Sequence, residues 1–255
     1  MAADARLLEL EWLARYEQGR PPTLRPATED SPEARLGDYL SRRGFISNRH
    51  VKDSTLRITH EGAVRRAELA EQLKASRIRE PMGLVWDGRH FDRDTRIALL
   101  DAAPERPLAL TYLDLNDVRA FNANSHAVGD QAIRRYLEVI ADVSGARDAY
   151  RLSGGADEVV ILSPGQSLDR ALDFTRQLLL ALGLETVGGL TLRAAGGVIT
   201  TTDPTERVPL LKERADLEQA RAKRASRASP KRPSALAWPG SDIEFVPPMA
   251  GSQPG

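Results

Sequence analysis

Three carboxylates in this sequence stand where they could share one site. Asp114 closes an apolar run, Leu108-Ala-Leu-Thr-Tyr-Leu113, and Asp157-Glu158 follow Ser153-Gly-Gly-Ala156 and precede Val159-Val-Ile-Leu162. Both apolar runs read as strands, and the glycines Gly154-Gly155 read as a hairpin turn with the acids beside it. If the two strands are neighbours in one sheet, the strand end and the turn bring the acids together. Such a cluster is unfavourable unless cations neutralise it. Mg²⁺, with Mn²⁺ as its substitute, prefers a few carboxylates plus the phosphates of a nucleotide. The chemistry implied is that of a metal–nucleotide site.

The elements around these acids follow from periodicity. After Asp114 and a polar segment, Gln131 to Val143 carries Ile133, Tyr136, Leu137 and Ile140 at helical spacing. Tyr150-Arg-Leu152 pairs with Val159–Leu162 across the glycine turn, Leu168 to Leu182 is a helix, Leu190 to Thr200 a strand, and Pro209 to Arg227 a last helix. The fold class expected is α+β, with a palm-like, mostly antiparallel sheet flanked by helices over residues 80–228. Residues 229–255, rich in Pro, Ser and Gly with little apolar periodicity, are expected to be a disordered tail.

Residues 1–79 read as a separate small domain in the order helix, helix, hairpin, helix. Leu7, Leu8, Leu10, Trp12, Leu13 and Tyr16 mark the first helix, and Ser31-Pro32-Glu33 opens a second that Gly44 stops. Tyr39-Leu-Ser-Arg-Arg-Gly-Phe-Ile46 followed by Leu56-Arg-Ile-Thr-His-Glu-Gly62 resembles the end of a winged helix-turn-helix domain. That resemblance makes Arg42, Arg43, Arg49 and Lys52 candidate DNA contacts, although a solvated charged face explains such a cluster equally. Dimerisation or signal input is the role expected of this domain.

A second resemblance covers residues 80–227. Tyr112-Leu-Asp-Leu-Asn-Asp-Val-Arg-Ala-Phe-Asn122, with His126-Ala-Val-Gly-Asp130, resembles the first motif of the GGDEF (diguanylate cyclase) family, and Arg151 to Leu162 resembles its signature. Ala215-Asp216, Ala222-Lys223 and Arg227 are similar to the family's closing helix, and Glu80-Pro-Met-Gly-Leu84 to Phe91 to its entry motif. Order and spacing together are far more specific than one motif. The resemblance implies condensation of two GTP into cyclic di-GMP by a homodimer, each domain presenting one GTP. By position, Asp114, the Leu115 carbonyl and Asp157 would hold Mg²⁺, and Glu158 would assist the metal or the attacking 3′-hydroxyl. Asn122 and Asp130 would bind guanine, Arg119, Lys223 and Arg227 the triphosphate, and Gly154 and Gly155 would leave the backbone open to the nucleotide. Taken singly, Asp130 also reads as a helix N-cap and Asp114 as a turn former.

The chain departs from the family pattern in identifiable places. The signature turn is two residues longer between Arg151 and Asp157, Val159 replaces Phe, and Asn116 replaces the second strand-end Asp. One residue is missing between Asn122 and His126, and Gly145 stands where product inhibition would need Arg. These changes leave open a rival, a degenerate domain that senses GTP or a cyclic dinucleotide. The chain has no cysteine, which excludes disulfides and thiolate chemistry. With 36 Lys+Arg against 36 Asp+Glu, no global field attracts nucleic acid or membrane. No secretory signal and no run of ~20 apolar residues occurs, so a cytoplasmic protein without membrane contact is expected.

Overall fold

A computed structural model describes residues 2–17, 32–47, 57–145, 147–152 and 157–246. The chain divides into two compact units, Met1–Arg77 and Ile78–Gly255.

The first unit contains α1 (Ala2–Glu17), α2 (Pro32–Arg42), the antiparallel strands β1 (Ile46–Ser47) and β2 (Arg57–Ile58), and α3 (His60–Ala75). This is the order expected from sequence. Leu10, Trp12, Leu13 and Tyr16 of α1 are buried, as are Leu69 and Leu73 of α3, so the two helices meet through their apolar faces. Beside that seam the Arg65 guanidinium donates to both Glu9 carboxylate oxygens, at 3.0 and 3.3 Å. Thr59 caps α3 by accepting from the Gly62 amide at 3.1 Å, which fixes the turn out of β2.

The second unit opens with β3 (Trp86–Asp87), a 3-10 turn over Gly88–His90, and α4 (Phe91–Leu99). There follow β4 (Leu108–Leu115), α5 (Val118–Asn124), α6 (His126–Ser144), β5 (Asp148–Arg151), β6 (Glu158–Pro164) and α7 (Leu168–Gly183). A small hairpin, β7 (Thr186–Val187) with β8 (Leu190–Thr191), leads into β9 (Ala194–Thr201), α8 (Val208–Ala228), β10 (Ser234–Ala237) and β11 (Glu244–Val246). One seven-stranded sheet runs β11-β10-β9-β4-β6-β5-β3. The sheet is mixed: β9-β4, β4-β6, β6-β5 and β10-β11 are antiparallel, whereas β10-β9 and β3-β5 are parallel.

β4 is buried along its whole length because helices cover both faces of the sheet. Leu113 and Leu115 pack with Ile133, Tyr136 and Leu137 of α6 and with Leu178 and Leu182 of α7. Leu108, Leu110 and Tyr112, alternating with them, pack on the other face against Phe91 and Leu99 of α4 and Leu211 and Ala215 of α8. α8 lies unusually close to β9. A Cβ at Gly197 would stand 2.3 Å from the Gln219 amide nitrogen and 2.4 Å from the Ala215 carbonyl oxygen, so no side chain fits there.

Two expectations are corrected. The helix expected from Gln131 begins at His126, because Ser125 caps it by accepting from the Val128 amide, and α5 occupies the polar segment before it. The tail expected to be disordered from Ser229 instead supplies two strands of the sheet. Ala235, Leu236 and Ala237 of β10 are fully buried, and β11 is tied to α7 where the Arg176 guanidinium donates to the Glu244 carboxylate at 2.8 Å. Pairing to β9 supplies an order that composition does not encode, since a four-residue strand is too short for a period to be read.

Candidate functional site

Asp114 sits at the end of the central strand, on the sheet face that α8 covers. Its register partner on β6 is Glu158, so the two carboxylates leave directly opposed positions on neighbouring strands. Asp157 precedes Glu158 at the end of the turn, and its carbonyl accepts from the Leu115 amide at 3.2 Å. The end of β4 and the start of β6 are therefore locked together. Among the described residues no three acidic or histidine side chains converge closely enough to hold a metal ion, so the expected triple carboxylate is reduced to the Asp114–Glu158 pair with Asp157 beside it.

Lys223, on the helix facing Asp114, ion-pairs with its Oδ2. Oδ1 is buried with no hydrogen-bond partner. Burial raises the Asp114 pKa above the ordinary carboxylate value; Lys223 opposes that rise, and the charges of Asp157 and Glu158 add to it. A desolvated oxygen without a donor, on a carboxylate that feels the charge of two further acids, is a position that a hard divalent cation would satisfy. Oxygen donors of this kind suit Mg²⁺, which keeps water and phosphate for the rest of its shell. The donor chemistry suits such an ion, while the acids among the described residues do not converge on one point.

Tyr112 precedes Asp114 by two residues and shares its face. Its hydroxyl donates to Glu158 Oε2 at 3.0 Å. Burial, then the charge of Glu158, raises the Tyr112 pKa far above its ordinary value, so the phenol remains a donor throughout the accessible pH range. On the opposite face, the buried Tyr136 hydroxyl has no partner; burial likewise raises its pKa, and the same carboxylates add to the shift.

The loops around the acids are held by contacts that sequence reading did not find. The Asn116 amide group donates to Ser226 Oγ at 3.1 Å, and that hydroxyl donates to the Pro233 carbonyl at 2.6 Å. Asn116, which replaces the second strand-end Asp of the family pattern, thus joins the strand end to α8 one residue before Arg227. Asp117 and Arg232 are the two non-glycine residues with positive φ among the described residues, at 57° and 42°, and they form an ion pair at 2.6 Å. Arg151 donates to the buried Glu80 at 3.1 Å, and Glu80 also accepts from the amides of Met82 and Leu84 at 3.0 Å each. The signature arginine therefore fastens the entry turn, across a sequence separation that no local pattern reports.

Other predicted site residues are placed as follows. Asn122 lies against Gly129, where a Cβ would stand 1.7 Å from its Oδ1, so Asn122 and Asp130 share the corner between α5 and α6. Both are exposed. Asp130 lies inside α6, and the N-cap role that it could have filled belongs to Ser125. Arg119 is exposed on the first turn of α5, and Arg227 is exposed one turn beyond Lys223. Gly154 and Gly155 lie outside the described residues, as do Arg49 and Lys52. Arg42 pairs loosely with Asp38 at 3.6 Å, and the Arg43 guanidinium stands 6.0 Å from the centre of the Tyr39 ring.

No family model matches the chain, and no curated protein matches it. Solved structures do. The GGDEF domain of DgcB from Caulobacter crescentus, in complex with c-di-GMP, superposes with a TM-score of 0.55 at 20% identity, over 64% of this chain and 95% of that domain. The active GGEEF domain of a diguanylate cyclase from Vibrio cholerae gives 0.52 at 17% identity, covering 62% and 99%. A diguanylate cyclase/phosphodiesterase from Caldicellulosiruptor saccharolyticus gives 0.51 at 19%, covering 65% and 94%. At these identities the likeness is one of fold. The α+β core of the second unit has the GGDEF fold. Among the described residues no helix is long and apolar enough to cross a membrane.

Proposed function

We propose that this chain is a Mg²⁺-dependent nucleotide cyclase of the GGDEF type, condensing two GTP into cyclic di-GMP as a homodimer. The observation that carries the reading is Asp114: a buried strand-end carboxylate with one oxygen unpartnered, opposite Glu158 and beneath Lys223. Asp114, the Leu115 carbonyl and Asp157 would hold the ion. When bound, it would polarise the α-phosphate and lower the pKa of the attacking hydroxyl.

The chain's own groups supply the rest. Lys223 and Arg227, four apart on α8, can grip one triphosphate, with Arg119 approaching from α5. Asp130 accepts from the guanine N1–H and N2–H₂ donors, a pairing that adenine lacks, and Asn122 lies at the same corner. Glu158 orients the metal or takes the 3′-hydroxyl proton. The first unit brings two copies together, or passes on a signal, and Arg42 and Arg43 could touch DNA. A cytoplasmic location accompanies this reading.

One observation favours the rival, a GTP or cyclic dinucleotide sensor coupled to a DNA- or protein-binding first unit: Lys223 already neutralises Asp114. Incubating the protein with GTP, ATP or both and Mg²⁺, and separating products by mass, decides between them. Cyclic di-GMP that disappears in Asp114→Ala and Asp157→Ala establishes the cyclase. No product, with GTP or cyclic di-GMP still bound, establishes the sensor.

A further inference from the structure

We infer that Tyr112 is a positioning residue of this site, holding Glu158 through its hydroxyl in the orientation that the acid needs. The inference rests on the functional reading above and adds to it a residue with no contact to substrate or metal.

The geometry is specific. Tyr112 is 4% exposed and sits in the core between the sheet and α8, so its ring has no freedom to swing. Tyr112, Asp114 and Glu158 all leave the sheet on the α8 face: the first two by strand alternation, the third as the register partner of Asp114. From there the phenolic O–H reaches Glu158 Oε2 at 3.0 Å.

A glutamate on the first residue of a strand, next to a long turn, has three rotatable side-chain bonds and no covalent reason to prefer one orientation. A donor fixed by core packing selects one. With Oε2 occupied, Oε1 is the oxygen left to face a ligand. Packing alone does not explain the hydroxyl. Phenylalanine at 112 would fill the same volume and leave no buried polar group to satisfy.

The hydrogen bond reaches Glu158 from β4, the central strand and the rigid side of the site.

The test is a double-mutant cycle in the full chain with Tyr112→Phe, Glu158→Gln and both together. Two quantities are read in all four proteins: kcat and KM for GTP, and Mn²⁺ affinity by electron paramagnetic resonance with the non-hydrolysable analogue guanosine 5′-(α,β-methylene)triphosphate. Tyr112→Phe is expected to lower kcat by ~10- to 100-fold with little change in KM, the cost of misplacing a reacting group by about 1 Å. In the Glu158→Gln background the same change is expected to have less than about a twofold effect, since the group it positions is already gone.

Equal losses in both backgrounds would show that Tyr112 matters only to packing, and wild-type values in Tyr112→Phe would show that it does not matter; either overturns the assignment. A wild type that binds without turning over is judged on Mn²⁺ affinity, which Tyr112→Phe must weaken only when Glu158 is present. A wild type that binds no Mn²⁺–nucleotide overturns the functional reading, and the assignment with it.

Discussion

Asp114 carries its charge in a place that disfavours it. Burial raises its pKa despite the Lys223 counterion, so the folded value lies above the unfolded one. A carboxyl shifted in that direction contributes stability below its unfolded pKa, about 3.9, and loses it as pH rises through the folded value. Asp114→Asn cannot ionise and keeps the contribution. It should therefore melt above the wild type at pH 7, with the difference closing toward pH 3. Nucleotide-dependent Mn²⁺ binding should be lost in the same variant. Thermal melts across that pH range test this, and a variant less stable than the wild type at pH 7 would show that the Lys223 pair outweighs the burial cost. Asp114 and Glu158 were legible in the sequence because acids bordering apolar runs stand out, and Lys223 through the resemblance of its segment to the family's closing helix. Tyr112 was not, since a tyrosine inside Leu108–Leu113 reads as core, although its two-residue offset from Asp114 already placed both on one face.

At the scale of elements, long periodic segments were read correctly, as were the short β1–β2 hairpin and β5, whereas the two short strands of the C-terminal segment were not. α7, α8 and β4 each extend over enough residues for a period to emerge, whereas β10 has four residues and β11 three. What orders those strands is the exposed edge of β9, a tertiary fact absent from the local sequence. The consequence is that the C-terminal segment belongs to the fold. Ending the chain at residue 228 would remove fully buried Leu236, whose burial alone is worth ~1.5–3 kcal/mol. It would also remove the Arg176–Glu244 pair and the hydrogen bond from the Arg221 guanidinium to the Ser241 carbonyl at 2.7 Å. Residues 1–228 should thus unfold at clearly lower urea concentration than residues 1–246, and their bared β9 edge should promote aggregation. Equal midpoints would mean that β10 and β11 are dispensable and that the tail was rightly read as separate from the fold.

For the whole molecule the decisive question is how many copies one turnover needs. If each second unit presents one GTP, a lone chain completes no cycle, and activity per chain must follow the fraction of chains that are paired. Below the dimer dissociation constant, specific activity then rises with protein concentration and levels off once pairing is complete. The chain's zero net charge supplies no long-range steering, so encounter depends on local surfaces. If the first unit supplies such a surface, joining it to the second raises the effective concentration of one cyclase half near the other. Residues 78–246 alone should then need more protein to reach the same specific activity, while binding GTP as tightly as the full chain. A dilution series of both proteins, with product measured by mass and pairing by sedimentation, tests this. Coincident curves would remove the first unit from assembly and leave it a sensor or DNA-contacting role. Specific activity independent of concentration in both would show that one chain suffices, which a two-half-site condensation does not allow.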